Sequence, residues 1–428
     1  MTSKIAESVT VRPARRLGAE APNVPGDKSI SHRAVLFGAL ADGESAVSNL
    51  APGQDVRSTA RCVAALGATV ERDGNAMRIR GGTWRAPAGD LDCGNSGTTM
   101  RLLMGALAAR GIEAVLDGDA SLRRRPMRRI ADPLAQFGAR IDTTDGHAPV
   151  RVHGGLPLQG APIRLEIASA QLATALTIAA IGARGRSTLE GAAGARDHTE
   201  RLLPHFGVTV TRHGTVLVVD GPQRFSPATI RVPGDPSAAA FWLAAAAIVP
   251  GSRLAVRGVA LNPTRIGFVR ALQRMGADIS MIEETLVPEP AGTIEIRYAP
   301  LQAVDIEEMD VPGIIDELPL LGVVAAYAAG TTTVRGASEL RVKESDRIAV
   351  LAAGLTALGV DVQTVEDGFD VTGGPVTGGR VASGGDHRLA MAFAIAALGA
   401  GDAVTIDDAE CVAISHPTFF AELEQLCA

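Results

Sequence analysis

The stretch GDKSISHRAVLFGALA, residues 26–41, sets polar and charged groups directly ahead of an Ala/Leu-rich run. The pattern predicts a buried helix whose start carries Asp27, Lys28, Ser29, Ser31, His32 and Arg33. A Lys-Ser pair after glycine invites comparison with nucleotide-triphosphate loops. The pattern G-x-x-x-x-G-K-[ST] fails, however, because Asp27 separates Gly26 from Lys28. The physics behind such loops still applies, since free backbone N–H groups at a helix start attract anions whatever precedes them.

Working outward, the same design recurs at GNSGTTMRLLMGALAA (94–109), ASAQLATALTIAAI (168–181), GDPSAAAFWLAAAAI (234–248), IDELPLLGVVAAYAA (315–329) and GGDHRLAMAFAIAAL (384–398). The copies begin roughly every 65 to 80 residues, longer than common solenoid repeats. Most run through a strand-like segment to a second helix with a common ending: LGATV from Leu66, FGARI from Phe137, FGVTV from Phe206, MGADI from Met275 and LGVDV from Leu358. Glycine there suits a left-handed C-cap, and the β-branched residues beyond it suit a strand. Each copy therefore reads as strand, helix, strand, helix, strand, strand, and the sixth runs out at FFAELEQLCA. Three copies make one domain of ordinary size, so the expectation is an α/β protein of two similar lobes. The segment VVDGPQRFSPATIRVPGD is the expected crossover between copies three and four, and VPEPAGT, residues 287–293, reads as a surface decoration.

Composition agrees with this class. A chain of 428 residues exceeds one hydrophobic core, and 46% hydrophobic residues with a net charge of −6 describe an ordinary globular protein. The most apolar stretch, AAAFWLAAAAIVPG, stops at Pro250, too short for a membrane span. No apolar signal core opens the chain, so a cytoplasmic location is expected. Cys62, Cys93, Cys411 and Cys427 lack C-x-x-C spacing, which argues against structural zinc and a disulfide scaffold. Net acidity argues against a nucleic-acid surface.

The helix starts carry the chemistry. Asp235-Pro236-Ser237 reads as a plain N-cap. Lys28 and Arg388 cannot be caps, because cations oppose the helix dipole at that end, so an anion is expected beside them. If similar lobes aim several such starts at one cleft, the site suits a highly anionic ligand.

At this point the residues resemble the EPSP synthase family of enolpyruvyl transferases. The matching motifs are PGDKSISHRA, GNSGTTMRLLMG, GDASLRRRPM, ASAQ, RDHTERLL, IDELP, ELRVKESDRI and GGDHRLAM, in family order from Val24 to Phe420. The resemblance implies two lobes, each an inside-out α/β barrel of three βαβαββ repeats. It places residues 24–234 in one lobe and residues 1–23 with 235–428 in the other, the active site lying in the interlobe cleft. The implied reaction moves the enolpyruvyl group of phosphoenolpyruvate to the 5-hydroxyl of shikimate 3-phosphate, by addition and elimination, in a monomer without metal or organic cofactor.

By resemblance, Lys28, Ser29, Arg33, Ser169, Ala170, Gln171, Arg196, Asp316 and Lys343 bind shikimate 3-phosphate. Phosphoenolpyruvate falls to Lys28, Asn95, Gly97, Arg125, Gln171, Arg347 and Arg388. Arginine suits these groups because its fork bonds two oxygens of a carboxylate or phosphate at once. Asp316 matches the family's base and Glu344 the acid for the methylene carbon, with Lys28 assisting. Gly97 leaves room for glyphosate, so inhibition is expected. Glu339 is expected to bind substrate, or simply to cap or pair with Arg341, and Cys93, beside the GNSG loop, to be a small buried thiol rather than a reactive one. His198 and His416 are expected on the surface or in packing. One departure stands out: where many relatives carry a C-terminal lysine on phosphoenolpyruvate, this chain reads VAISHPTFF with Ile414-Ser415. The rival readings are a UDP-N-acetylglucosamine enolpyruvyl transferase, whose loop cysteine is absent from DGDASLRRRP (117–126), and a catalytically dead anion-binding paralogue.

Overall fold

The computed structural model describes residues 6–166, 169–192 and 195–427. All six polar-then-apolar stretches form helices: Lys28–Leu40, Gly97–Arg110, Ala170–Gly182, Pro236–Ile248, Leu318–Ala325 and His387–Gly399. Five start on a side-chain cap, with Asp27, Ser96, Ser169, Asp235 and Asp386 each accepting a first-turn backbone N–H. The residue before each misplaced cation or inside each cluster thus does the capping, and the cations remain for other work. Leu318–Ala325 has no side-chain cap.

Several of these helices are buried around their whole circumference, every residue of Ile30–Leu40 and Leu389–Leu398 included. Such a helix cannot sit on a surface. Small residues allow its neighbours to come close. A Cβ on Gly105 would lie 2.2 Å from Ala175 O, and one on Gly182 would lie 2.7 Å from Ala109 Cβ. Helices Gly97–Arg110 and Ala170–Gly182 therefore pack almost backbone to backbone.

The strands form six sheets among the described residues. The chain divides into two compact units, one spanning Gly26–Val232, the other joining the segment up to Pro25 to the chain from Pro233 onward. Within Gly26–Val232, strands Leu91–Asp92 and Ala114–Asp117 run parallel, and His147–Val152 and Ile141–Thr144 add antiparallel contacts. With helices Gly97–Arg110 and Arg128–Ala135 between them, the order is strand, helix, strand, helix, strand, strand. Pro162–Arg164, Gly185–Glu190, Val216–Gly221 and Thr211–His213 repeat that pairing. The sheet built on Glu44–Ser48 instead takes its parallel strand, Thr229–Arg231, from the far end of the unit. Asn49 Nδ2, donating to Val232 O at 2.8 Å, fastens that return.

In the other unit, Asp305–Ile306, Thr331–Val334, Gly368–Thr372 and Asp361–Val365 show the full pairing pattern. The sheet Arg253–Ala260, Ala291–Arg297 and Asp278–Thr285 is antiparallel, with a parallel bridge from Glu20 to Ala255. The sixth copy, which lacks its own hairpin, is completed by Ser8–Val11 pairing antiparallel with Val404–Asp407. VPEPAGT is a surface decoration only at its start: Leu286 and Val287 face solvent at a hairpin tip, whereas Glu289 is buried and Ala291–Thr293 open the buried strand Ala291–Arg297.

Candidate active site

In the unit Gly26–Val232, side chains tie three helix starts together. Arg33, 1% exposed, donates from Nε to Thr199 Oγ1 at 2.9 Å and from Nη1 to Ser29 O at 2.8 Å. Its Nη2 reaches Ala170 O at 3.2 Å and Thr174 Oγ1 at 2.7 Å. Expected on substrate, Arg33 is engaged here with four protein oxygens and locks Ser29 beside Ala170. Gln171 donates from Nε2 to Thr98 Oγ1 at 2.8 Å, and its Oε1 accepts Arg101 Nη1 at 2.7 Å. Arg125 Nη2 donates to Asn95 Oδ1 at 2.7 Å, and Asn95 Nδ2 donates to Asp119 Oδ2 at 2.7 Å. Between the two arginines stands Gly97, where an added Cβ would lie 3.1 Å from Arg101 Nη1 and 3.3 Å from Arg125 Nη1. Two guanidinium groups beside a helix start that has no side chain make a cradle suited to a carboxylate or phosphate.

Lys28 Nζ lies 3.3 Å from Asp55 Oδ2, both partly exposed. Ser169 caps its helix through Leu172 N. Arg196 is half-buried immediately before Asp197, whose carboxylate pairs with Arg201 at 2.8 Å. Arg101 escaped the sequence reading. Its signal was available: a charged residue inside an otherwise apolar helix, one turn beyond Gly97.

In the other unit Arg347 is the hub. At 2% exposure, its Nε bonds Asp386 Oδ2 at 2.8 Å, its Nη2 bonds Glu344 Oε2 at 2.7 Å, and Nη1 lies 3.8 Å from Asp316 Oδ1. Burial opposes its charge, yet Asp386, Glu344 and Asp316 outweigh burial and hold the guanidinium above its ordinary value. Burial likewise pushes Asp386 up, but Arg347 prevails and keeps that carboxyl below the usual range. Arg388 Nη1 donates to Asp316 O at 3.1 Å and lies 3.6 Å from Glu317 Oε1. Burial lowers the Lys343 ammonium, with Asp316, Glu339 and Glu344 pulling the other way. Its Nζ lies 3.7 Å from Glu339 Oε1, whereas Arg341 turns to Asp346 at 2.8 Å. Of the alternatives for Glu339, pairing with Arg341 is not the one formed: Glu339 sits on the 3-10 turn Ser338–Val342 and faces Lys343 just beyond its end.

The starts of Pro236–Ile248 and Leu318–Ala325 are joined by Ser237, whose hydroxyl donates to the buried Glu317 carboxylate. Arg265, also buried, holds Asp235 and Ser237 at 3.0 Å each. No motif had singled out Arg265. His416, the basic group nearest Ile414-Ser415, is buried and pairs with Glu422 at 2.8 Å. Cys93 is fully buried, and contact with Cys62 and burial raise its thiol well above the ordinary value. His198 is buried in packing. Among the described residues no group of three or more His, Cys, Asp or Glu is placed to hold a metal ion, and no helix is long and apolar enough to cross a membrane.

His32 is buried and neutral, since burial drives its imidazole down to about 3. A folded value below the unfolded one means that the unfolded chain binds more protons, so stability is full above about 6.5 and falls toward about pH 3. The His32→Leu variant is expected to lose that slope, up to about 1.4 kcal/mol per pH unit. Urea midpoints from pH 7 to 4 check this, and equal slopes in the two proteins would contradict it.

The chain has a mixed α/β fold of the enolpyruvyl transferase type. The enolpyruvyl transferase NikO of Streptomyces tendae superposes with a TM-score of 0.81, covering 97% of this chain and 96% of that one, at 19% identity, a likeness of fold alone. An EPSP synthase structure from Acinetobacter baumannii superposes at a TM-score of 0.87, with 39% identity and 98% coverage of both chains. The 3-phosphoshikimate 1-carboxyvinyltransferase of Halorhodospira halophila is 49% identical over 427 residues, 98% of this chain and 96% of that protein. That of Xanthomonas campestris pv. campestris is 48% identical over 404 residues, 92% of each. The family model of EPSP synthase (3-phosphoshikimate 1-carboxyvinyltransferase) matches residues 11–423. The chain belongs to the EPSP synthase family.

Proposed function

We propose that this chain transfers the enolpyruvyl group of phosphoenolpyruvate to the 5-hydroxyl of shikimate 3-phosphate and releases phosphate, as a cytoplasmic monomer in aromatic biosynthesis. The observation that carries this reading is the pairing of Asp316 and Glu344 about the single buried Arg347, within a family whose similar members bear that activity as their name. Both substrates are polyanions, which accounts for cations being gathered at helix starts in each unit. Each unit, residues 24–234 and the remainder, acts as one lobe of three βαβαββ copies with the helices inside, and each supplies part of the binding groups.

Shikimate 3-phosphate is assigned to Lys28, Ser29, Ser169, Ala170, Gln171, Arg196, Asp316 and Lys343, with Arg33 fixing the Ser29 and Ala170 backbone. Phosphoenolpyruvate is assigned to Lys28, Asn95, Gly97, Arg125, Gln171, Arg347 and Arg388, to which the geometry adds Arg101. The absence of a side chain at Gly97 leaves the space that a phosphate or a phosphonate such as glyphosate fills. Asp316 takes the proton of the 5-hydroxyl as that oxygen attacks the enol carbon. Glu344 delivers a proton to the methylene, giving a tetrahedral ketal phosphate. The same carboxylate then removes a methyl proton as phosphate leaves, and the proton held by Asp316 passes to the departing phosphate by way of Lys28 and Lys343, which also balance its charge. Positioning and fixed charge carry most of the acceleration.

The test is phosphate release from phosphoenolpyruvate with each candidate acceptor. Release is expected with shikimate 3-phosphate and not with UDP-N-acetylglucosamine. The opposite pattern would move the chain to the cell-wall reaction, and no release with either would mark a binding protein.

A further inference from the structure

His32 lies one turn after Lys28 on the same helix face. Its Nδ1 is 2.7 Å from Thr59 Oγ1, and Thr59 Oγ1 is 2.7 Å from Thr99 Oγ1. The Thr99 hydroxyl in turn lies 2.7 Å from Ser96 Oγ, which caps helix Gly97–Arg110 by accepting Thr99 N at 3.1 Å. Thr99 Oγ1 is also 3.3 Å from Asp55 O, and the Asp55 carboxylate holds Lys28. A ring of contacts therefore runs from Lys28 through Asp55, Thr99 and Thr59 to His32, and returns along one helical turn. It joins the helices Lys28–Leu40, Gln54–Ala65 and Gly97–Arg110.

The other imidazole nitrogen, Nε2, is buried with no hydrogen-bond partner among the described residues. An unsatisfied buried polar atom costs stability, and an apolar side chain of similar size would remove that cost. Thr59 would stay satisfied by Thr99 if the imidazole were removed. Stability alone thus gives no reason for histidine here. Tolerated strain of this kind points to function.

We propose that His32 is a positioning residue which, through Thr59 and Thr99, keeps Lys28 in register with the Ser96-Gly97 helix start that receives phosphoenolpyruvate. The inference rests on the functional reading above and adds a residue to it. Asp55, Lys28 and Arg33 are the charged groups facing the imidazole, and with burial they leave it neutral at working pH.

Three measurements on His32→Leu and His32→Asn test this. The leucine variant is expected to melt at or above the wild-type temperature, yet to lose about tenfold or more in kcat/KM for phosphoenolpyruvate, chiefly through KM. Hydrogen exchange at the Thr98 and Thr99 amides is expected to quicken in the same variant. Asparagine, short but able to bond Thr59, is expected to recover most of both. A leucine variant within about twofold of wild type in kcat/KM overturns the proposal, as does equal loss in the two variants or a loss that tracks melting temperature. If the wild-type protein itself fails to turn over shikimate 3-phosphate, the reaction assignment falls, while the exchange measurement still decides the role of His32.

Discussion

Substituting Asp316 by asparagine is expected to lower kcat by about 10²–10⁴-fold while the fold stays intact, the range one positioned acid or base contributes. Asparagine keeps the shape of the side chain and removes its charge and its basicity. The carbonyl of residue 316 that accepts Arg388 Nη1 at 3.1 Å belongs to the backbone and survives the change. The carboxylate itself stands 3.8 Å from Arg347 Nη1 and 4.0 Å from Arg388 Nη2, so its loss leaves both guanidinium groups with other carboxylate neighbours. Binding of shikimate 3-phosphate should therefore weaken much less than turnover. Phosphate release at saturating substrates measures the effect, and a variant retaining more than about a tenth of wild-type kcat would remove Asp316 from the role of base.

Substituting Arg347 by methionine is expected to destabilise the protein by about 3–5 kcal/mol and to abolish measurable turnover. The side chain is 2% exposed and answers Asp386, Glu344 and Asp316 together. Methionine fills similar space but leaves Asp386, itself fully buried, without its countercharge. The pH dependence gives a second reading. In the wild type Asp386 has a depressed folded value, so its contribution is complete above the unfolded value of about 3.9 and is lost as pH falls through the folded one. In the variant burial and Glu344 push Asp386 up against the weaker pull of His387, so its value rises from that of the wild type, and acid relieves the variant while it weakens the wild type. The gap between their urea midpoints should begin to narrow above about pH 4, where Asp386 of the variant starts to protonate, and go on narrowing below it. A gap that stays constant would mean that Arg347 stabilises by packing and not by charge.

Much of the architecture could be read along the chain because it is local. A polar cluster ahead of an Ala/Leu run specifies a largely buried apolar helix, and all six such helices are present, five of them with a side-chain cap. The glycine endings after Leu66, Phe137, Phe206, Met275 and Leu358 are each followed within a few residues by a strand, at Thr69, Ile141, Thr211, Asp278 and Asp361. Motif order along nearly the whole length settled the family for the same reason, since order and spacing are properties of the chain itself.

Partnership is a different matter, because it depends on which distant segments the topology brings together. Nothing local marks Ser8–Val11 as the strand completing the sheet at Val404–Asp407, or Thr229–Arg231 as the edge beside Glu44–Ser48. Arg33 finds Thr174 and Thr199, Arg265 finds Asp235 and Ser237, and Arg101 finds Gln171, each across tens to hundreds of residues. A guanidinium has five donors and a long stem, so its identity in the sequence does not choose among the acceptors within reach. By itself the sequence determined the elements, their order and the family. Only the tertiary structure decided which charges answer one another, because that choice is made by burial and distance once the helix starts in each unit have been packed side by side.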